Sequence, residues 1–302
     1  MSDMRVNLCG VTLKNPVIAA SGTFGYGMEY NEFYSISRLG GISCKGTAIE
    51  EWKGNPTPRI AETPAGMLNS VGLQNPGVDA LLNIYLPWLK GQDIVVIANA
   101  AGHSLEEYCA VAERLGDSTV DMVELNISCP NVKHGGMALG IKCDIAYEAV
   151  KQVRAVCKKP LMVKLSPNAE NIVTMALRCE EAGADSLSLV NTFQAMAIDI
   201  YKRKPVFNNV FAGLSGPAIL PIALRMVYQV CGAVQIPVVG LGGISSWQDA
   251  AAFLMAGATA VQVGTANFVK PDICLDIING LEQFLKDQGC RSVDEIIGAA
   301  RV

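Results

Sequence analysis

Short apolar runs along the chain alternate with longer segments in which apolar residues recur every three to four positions. The first pattern is typical of buried β-strands, and the second of helices that cover a core with one face. Short strands that alternate with helices form a parallel sheet, and eight such units close into a barrel. We therefore predict an α/β protein with one domain, residues 1–302, a (β/α)₈ TIM barrel whose strands are Val17–Ala20, Gly41–Lys45, Ile94–Asn99, Met122–Asn126, Leu161–Lys164, Ser186–Val190, Val238–Gly240 and Ala260–Val263.

Local signals add a hairpin and several helix ends to this outline. Two apolar runs that flank Gly10 predict an N-terminal β-hairpin from Val6–Cys9 and Val11–Leu13. Cap residues and terminal glycines predict four helices. These are 104–115 with a serine cap, 144–157 with an aspartate cap, 169–182 ending at Gly183, and 246–256 ending at Gly257.

Two segments interrupt the alternation of strand and helix. Residues 46–92 contain proline and glycine clusters, and residues 191–216 carry the basic run Lys202, Arg203 and Lys204. Because long loops in compact domains are often functional, we expect both segments to lie over the C-terminal face of the barrel. The three basic residues are interpreted as a solvated surface excursion.

Polar residues follow most of the predicted strands. In a parallel barrel these positions converge on one mouth, where active sites of this fold are built. Two of them are lysines, and a buried ammonium needs an anionic partner. The residues are Ser21, Lys45, Asn99, Asn126 with Cys129, Lys164, and Asn191 with Thr192.

Glycine turns follow the last two strands, at Gly242-Gly243 and at Gly264-Thr265. Exposed backbone amides after strands seven and eight of a barrel commonly bind phosphate. The pair of turns therefore indicates a phosphate-bearing cofactor. The chain has no G-x-G-x-x-G sequence opening a βαβ unit, so a dinucleotide-binding fold is not supported.

The segment Glu124–Gly136 joins the end of a predicted strand to a thiol, two amides, a lysine and a pair of glycines. Pro130 ends the strand and holds Cys129 extended, which places this thiol at the catalytic rim. By itself, a cysteine in an apolar chain is more often a small buried hydrophobe. The segment is therefore a candidate for chemistry only in combination with the other polar residues of the mouth.

Composition excludes several classes of function. Half of the residues are hydrophobic and the formal net charge is −4, which argues against nucleic-acid binding and for small-molecule ligands. No apolar run approaches the length of a membrane span, so we expect a cytoplasmic protein. Ten scattered cysteines without C-x-x-C pairs, and only two histidines, indicate reduced thiols and no metal site.

Several longer motifs resemble the dihydroorotate dehydrogenase family, specifically its NAD-linked class 1B catalytic subunit. Cysteine at position 129 separates the chain from the membrane-associated class, which has serine there, and the segment 132–136 is similar to class 1B rather than to the fumarate-linked class 1A. The resemblance spans nearly the whole chain. It rests on 69–75, 126–136, 163–167, 213–217 and the two glycine turns.

The resemblance implies an FMN-containing barrel that oxidises (S)-dihydroorotate to orotate in pyrimidine biosynthesis, with Cys129 as the general base. By the same resemblance Lys164 lies against the flavin, and Lys45 faces both substrate and flavin. The substrate would contact Lys45, Asn69, Ser70, Val71, Gly72, Leu73, Asn126, Asn191 and Thr192. FMN would contact Ser21, Lys45, Gly46, Asn99, Asn126, Lys164, Val190, Gly216, Gly242, Gly243, Gly264 and Thr265.

The resemblance also implies a partner. Class 1B enzymes pass electrons to NAD through a second subunit that carries FAD and a [2Fe–2S] cluster, in a heterotetramer of two catalytic and two electron-transfer chains. Two alternatives stay open from the residues. One is another flavin barrel, similar to dihydropyrimidine dehydrogenase or to the fumarate-linked enzymes, and the other is a catalytically silent barrel that serves as a binding subunit.

Overall fold

A computed structural model describes residues 2–128 and 139–302 of the chain. Its strands are β1 (Val6–Leu8), β2 (Val11–Leu13), β3 (Val17–Ala19), β4 (Gly41–Ser43), β5 (Ile60–Thr63), β6 (Gly66–Asn69), β7 (Val95–Ala100), β8 (Met122–Asn126), β9 (Leu161–Lys164), β10 (Ser186–Leu189), β11 (Phe193–Met196), β12 (Ile198–Asp199), β13 (Lys204–Pro205), β14 (Phe211–Ser215), β15 (Val238–Leu241) and β16 (Ala260–Val263).

The helices are α1 (Met28–Asn31), α2 (Val78–Ala80), α3 (Leu86–Lys90), α4 (Leu105–Gly116), α5 (Cys143–Val156), α6 (Ile172–Glu181), α7 (Leu220–Cys231), α8 (Trp247–Met255), α9 (Ala266–Val269) and α10 (Ile273–Asp287). A π-helical segment, Leu81–Tyr85, joins α2 to α3. Single 3₁₀ turns form at Ile36–Arg38, Pro217–Ile219 and Val293–Glu295.

Eight of these strands form a closed parallel barrel in the order β3, β4, β7, β8, β9, β10, β15, β16, with β16 returning to β3. All eight are the strands predicted from the apolar runs, so the TIM barrel is confirmed. Their bounds differ by one or two residues, for example at β4, which ends at Ser43 rather than at Lys45. The N-terminal hairpin is also confirmed, since β1 pairs antiparallel with β2.

Two helix caps were predicted, at Ser104 and at Asp144, and Ser246 caps α8 in the same way as Ser104 caps α4. The Ser104 hydroxyl accepts from the Glu107 amide, and the Ser246 hydroxyl accepts from the Asp249 amide. The aspartate cap predicted for α5 is wrong, because the helix begins one residue earlier and Lys142 is the cap residue, without a side-chain bond. Glu170, before α6, accepts from the first amide of α5 instead, over 3.0 Å.

The two interruptions of the barrel pattern form one structure. Strands β5 and β6 come from the first segment and β11 and β14 from the second, and they pair antiparallel in the order β11, β14, β6, β5. We expected loops here, so this sheet is a correction. Strands β5 and β11 alternate exposed and half-buried positions, and the only buried cluster of this sheet in the described residues is Leu68, Phe207 and Ala212, so the apolar signal in sequence is weak.

A single hydrophobic cluster extends from Val6 to Ile296 and contains the outer faces of the barrel strands and the inner faces of the helices. The basic run is solvated as expected, with Lys202 69% exposed and paired to Asp199 across 3.2 Å. Among the described residues, no helix has the length and apolarity that a membrane crossing would need.

Candidate active site

Polar side chains at the carboxyl ends of β8 and β10 meet at the mouth of the barrel. Asn126, the last residue of β8, accepts from the Ser128 hydroxyl over 2.6 Å, and Asn191 Nδ2 lies 3.4 Å from the same Oδ1. Asn191 also donates to the Ser128 hydroxyl. The Tyr108 hydroxyl donates to the Asn126 carbonyl over 2.9 Å. The structure therefore brings the predicted residues Asn126 and Asn191 together and holds both side chains in place.

The carboxylate of Glu124 accepts hydrogen bonds from the polar groups beneath this mouth. Glu124 of β8 is fully buried. Its Oε2 accepts from Ser43 Oγ and from Asn99 Nδ2, both over 2.6 Å. Its Oε1 accepts from Ser188 Oγ over 2.7 Å and from Gln262 Nε2 over 2.8 Å. Five of the eight barrel strands are joined through this one side chain.

Charge and hydrogen bonds keep this buried acid ionised. Burial by itself would raise the pKa of Glu124, but the nearby Lys164 ammonium and the donors on Ser43, Gln262 and Ser188 outweigh it and hold the pKa below its usual value. The carboxylate therefore only accepts hydrogen bonds.

Lys164, the last residue of β9, is 5% exposed at the level of the mouth. Its neighbour across the sheet is Asn126. Within residues 2–128 and 139–302, no hydrogen bond or ion pair to its ammonium is found. A buried cation of this kind is stabilised by an anionic or electron-rich ligand.

Only one of the two polar atoms of the Asn99 side-chain amide has a hydrogen-bond partner among the described residues. Its Nδ2 donates to Glu124, and its Oδ1 is buried without a partner among the described residues. A Cβ built on Gly46, which follows β4, would lie 2.9 Å from this oxygen. Gly46 and Asn99, both predicted site residues, are thus in contact, and a side chain at position 46 would crowd this oxygen.

The two predicted glycine turns follow β15 and β16, and Gly216, another predicted site residue, follows β14 and lies beside Gly243. Gly216, Gly242 and Gly243 have positive φ of 98°, 132° and 79°. A Cβ on Gly243 would lie 2.9 Å from the Gly216 carbonyl oxygen, and one on Gly242 would lie 3.4 Å from Val190. Side chains are therefore excluded at Gly242 and Gly243.

The turn after β16 contacts the segment before Gly216. The Thr265 hydroxyl hydrogen-bonds with the Ser215 hydroxyl over 2.8 Å, which links β16 to the segment before Gly216. Gly264 packs beside Ala20, the residue before Ser21, with 3.6 Å between a built Cβ and the Ala20 Cβ. Among the described residues, no neighbour of Gly264 is close enough to require glycine there.

The inserted sheet carries part of the predicted substrate segment to the mouth. Asn69 of β6 pairs with Gly213 of β14, and its Nδ2 donates to the Gly213 carbonyl over 3.4 Å. A Cβ on Gly213 would collide with Thr192 Oγ1, so Asn69 and Thr192 flank the same glycine.

The rest of that segment is held by an asparagine of the first insertion. Asn55 Nδ2 donates to the Ser70 carbonyl over 3.0 Å and lies against Gly72. Leu73 lies next to Gly46, with 3.6 Å between its Cδ2 and a built Cβ. Ser70, Val71, Gly72 and Leu73 are all half-buried, as expected for residues that cover a site.

Lys45 lines a cleft of about 450 Å³ at the edge of the mouth. Gly25 fixes its backbone by accepting from the Lys45 amide over 2.9 Å. Aromatic side chains of Tyr26, Trp52 and Tyr85 form the walls of the cleft. This placement agrees with a lysine that reaches a ligand from the side of the insertions.

Cys129 and residues 130–138 of the neighbouring segment lie outside the described residues. The first described segment, residues 2–128, ends at Ser128, whose hydroxyl is already part of the Asn126 and Asn191 network.

Three residues of the polar floor were not predicted from sequence, and Glu124 was considered only as part of a motif. The sequence does single out Glu124, because it is the only charged residue of the largely apolar strand β8. It lies two positions before Asn126, so both side chains point to the same face of the strand. The partners have no such signal, since a serine or a glutamine in a buried strand has many possible roles. They are Ser43, Ser188 and Gln262.

Comparison with known proteins decides the family. The sequence model of the family described as dihydroorotate dehydrogenase matches residues 3–285. The chain belongs to the dihydroorotate dehydrogenase family. Its resemblance to this family, inferred from the motifs above, is thereby confirmed.

Among curated dihydroorotate dehydrogenases, similarity extends over nearly the full length. The chain is 57% identical to the "dihydroorotate dehydrogenase B (NAD(+)), catalytic subunit" of Petrotoga mobilis, with 99% of each chain covered. Proteins of the same name from Alkaliphilus metalliredigens and Bacteroides thetaiotaomicron are 52% and 51% identical, with 98% and 100% of each chain covered.

Proposed function

We propose that this chain is the catalytic subunit of an NAD-linked dihydroorotate dehydrogenase, which oxidises (S)-dihydroorotate to orotate in de novo pyrimidine biosynthesis. The observation that carries the proposal is the end-to-end similarity to catalytic subunits of that name, at 57% identity over 298 residues. The mouth of the barrel supports it, since amides, a buried lysine and glycine turns occur together there.

FMN fits the residues of the mouth. The unpartnered Oδ1 of Asn99 is an acceptor for a ring N–H, and the buried Lys164 ammonium is a donor for the electron-rich edge of such a ring. Ser21, Gly46 and Val190 would line the ring. Gly216, Gly242, Gly243, Gly264 and Thr265 would hold the phosphate with backbone and hydroxyl donors.

The reaction divides between the cofactor and the chain. FMN, when bound, supplies the hydride acceptor for C6 of dihydroorotate. Cys129 is the general base that takes the proton from C5, a role that a thiol performs when its pKa is near the working pH. The Lys164 ammonium stabilises negative charge in a water-poor site, where a placed charge has its largest effect.

Orientation of the substrate comes from fixed amides. Asn126 and Asn191 are held by Ser128, so their remaining donors and acceptors keep one direction. Thr192 and the segment Asn69–Leu73 cover the ring from the inserted sheet, and Lys45 approaches the substrate carboxylate from the cleft. Groups held in this way lower the barrier by positioning.

The word "subunit" in the names of the relatives implies a separate electron-transfer chain. We propose that this partner carries FAD and a [2Fe–2S] cluster, and that two catalytic and two electron-transfer chains form a heterotetramer. The nine described cysteines are all free thiols, which supports a reducing compartment such as the cytoplasm.

The decisive experiment is anaerobic reduction of the purified chain by dihydroorotate, followed by separate additions of NAD, fumarate and quinone. We expect the flavin to bleach with the chain alone, and NADH to form only when the electron-transfer partner is co-expressed. NAD reduction by the single chain would contradict the two-subunit arrangement. Rapid reoxidation by fumarate would assign the chain to the other soluble class.

A further inference from the structure

Glu124, at the floor of the barrel, has no part in the reaction described above. An ionised carboxylate accepts hydrogen bonds and cannot donate them, so whatever faces it must donate. The side-chain amide of Asn99 can therefore face Glu124 only through its NH₂ group, at 2.6 Å. Its oxygen must then point the other way, beside Gly46, where it is buried and has no partner in the described part of the chain.

Gln262 repeats this arrangement on the opposite side of the carboxylate. Its Nε2 donates to Glu124 Oε1 over 2.8 Å, and its Oε1 is also buried without a described partner. Ser43 and Ser188 donate one hydroxyl each. The acid thus orders the donors of four other barrel strands so that two carbonyl oxygens face away from it.

Glu124 also shapes the electrostatic field at the mouth. Lys164 lies near enough to interact with the carboxylate, but no ion pair within 4.0 Å forms between these two described residues. The ammonium therefore keeps its donors for a ligand, while the fixed negative charge beneath it offsets part of its positive field.

We propose that Glu124 is a positioning residue for the flavin, which holds Asn99 with its oxygen toward the cofactor and moderates the charge of Lys164. This proposal rests on the proposed function, because it needs a flavin in the mouth. Glu124 itself does not touch the cofactor, and it acts through the two side chains above it.

Two substitutions separate the two parts of this role. Glu124→Gln keeps the shape and removes the charge, so Asn99 can turn its oxygen toward the new NH₂ group. We expect FMN affinity to fall about tenfold, the loss of one hydrogen bond of ordinary strength. We also expect the oxidised-to-reduced equilibrium of bound FMN to shift about tenfold toward the reduced form, which is ~30 mV for a two-electron couple.

Glu124→Asp keeps the charge and withdraws the carboxylate by one methylene from Asn99. We expect FMN affinity to fall as in Glu124→Gln, with the midpoint potential near the parental value. Ser188→Ala is the matched control, because it removes a donor to the other carboxylate oxygen and leaves both the charge and the Asn99 contact in place. Its FMN affinity and potential should stay near the parental values.

An exchange variant keeps the proposal testable should Glu124→Gln fail to fold. When Asn99→Asp is combined with Glu124→Gln, the NH₂ group introduced at position 124 donates to the carboxylate introduced at position 99, whose second oxygen again faces the mouth. We expect this pair to recover FMN affinity and the parental potential.

The measurements are fluorescence titration of apoprotein with FMN and spectroelectrochemical titration of the bound flavin, after thermal melting has shown that each variant folds. The proposal is overturned if folded Glu124→Gln binds FMN with parental affinity and potential, or if the exchange variant folds without recovery. Failure of the parental chain to bind FMN would instead refute the proposed function.

Discussion

Glu124 and Lys164 are the two charged side chains buried in the described part of the chain, and both lie in the barrel interior. Burying a charge is costly unless partners compensate for it. Glu124 has four donors within the fold, whereas Lys164 has no hydrogen-bond partner among the described residues. Lys164, rather than Glu124, is therefore the buried charge whose hydrogen-bond donors are left for a ligand.

We predict that Lys164→Met keeps the fold and slows flavin reduction by dihydroorotate about a hundredfold or more, because one placed charge or donor of this kind is typically worth roughly 10²–10³ in rate. The methionine fills the space of the aliphatic stem without its charge. Stopped-flow bleaching of the flavin measures the rate, and FMN titration measures the affinity. If both values are parental, Lys164 has only a structural role.

At position 129 we predict that Cys129→Ala retains FMN and orotate binding and loses roughly 10²–10⁴ in turnover, the usual share of a general base. Cys129→Ser should keep some activity at higher pH, since a hydroxyl is a weaker base near neutrality. Turnover of dihydroorotate across a pH series is the measurement. Parental turnover in Cys129→Ala would remove the thiol from the mechanism.

At the scale of elements, the wall of the mouth is built from turns whose backbone conformation excludes side chains. Gly243 combines φ of +79° with an approach of 2.8 Å between a built Cβ and the Leu220 amide nitrogen. Gly289, after α10, has a similar φ of +71° but no atom within 4 Å of a built Cβ. The two glycines differ in surroundings and not in backbone strain, so they make a matched pair.

We predict that Gly243→Ala lowers FMN affinity by about tenfold or more, because the new methyl group pushes apart the turns that would hold the phosphate. Gly289→Ala should cost only the conformational strain, roughly 1–2 kcal/mol, and should bind FMN normally. Thermal melting and FMN titration of both variants provide the comparison. Equal FMN affinity in the two variants would argue against phosphate binding at this turn.

At the scale of the whole molecule, burial suppresses the reactivity of several cysteines in the described part of the chain. Burial raises the pKa of Cys44, Cys179, Cys231 and Cys274 to about 12. Because the thiolate is the reactive form, these four thiols should be inert near neutral pH.

We predict that brief iodoacetamide treatment of the native chain at mildly alkaline pH leaves these four cysteines unmodified and inactivates the enzyme through Cys129, with orotate slowing the loss. Peptide mass mapping shows which thiols react, and the urea-unfolded chain, in which all ten should react, is the control. Fast modification of Cys44 or Cys274 in the native chain would mean that the barrel opens readily.

The local pattern of the sequence determined a large part of this protein. Buried parallel strands are continuous apolar runs, so all eight barrel strands could be located without tertiary information. The Ser104 and Ser246 caps were equally local, because a cap residue bonds an amide three positions away. The motifs around Asn69, Cys129 and the glycine turns were sufficient to recognise the family.

Tertiary structure decided what depends on distant partners. The inserted sheet joins β6 to β14, two strands that are far apart along the chain and half exposed, so neither has a decisive pattern of its own. The cap of α5 comes from Glu170 of another segment. The role of Glu124 could not be predicted locally, because barrel closure brings Ser188 and Gln262, which are distant in sequence, into hydrogen bonds with it. The physical role of a buried charge depends on its neighbours in space.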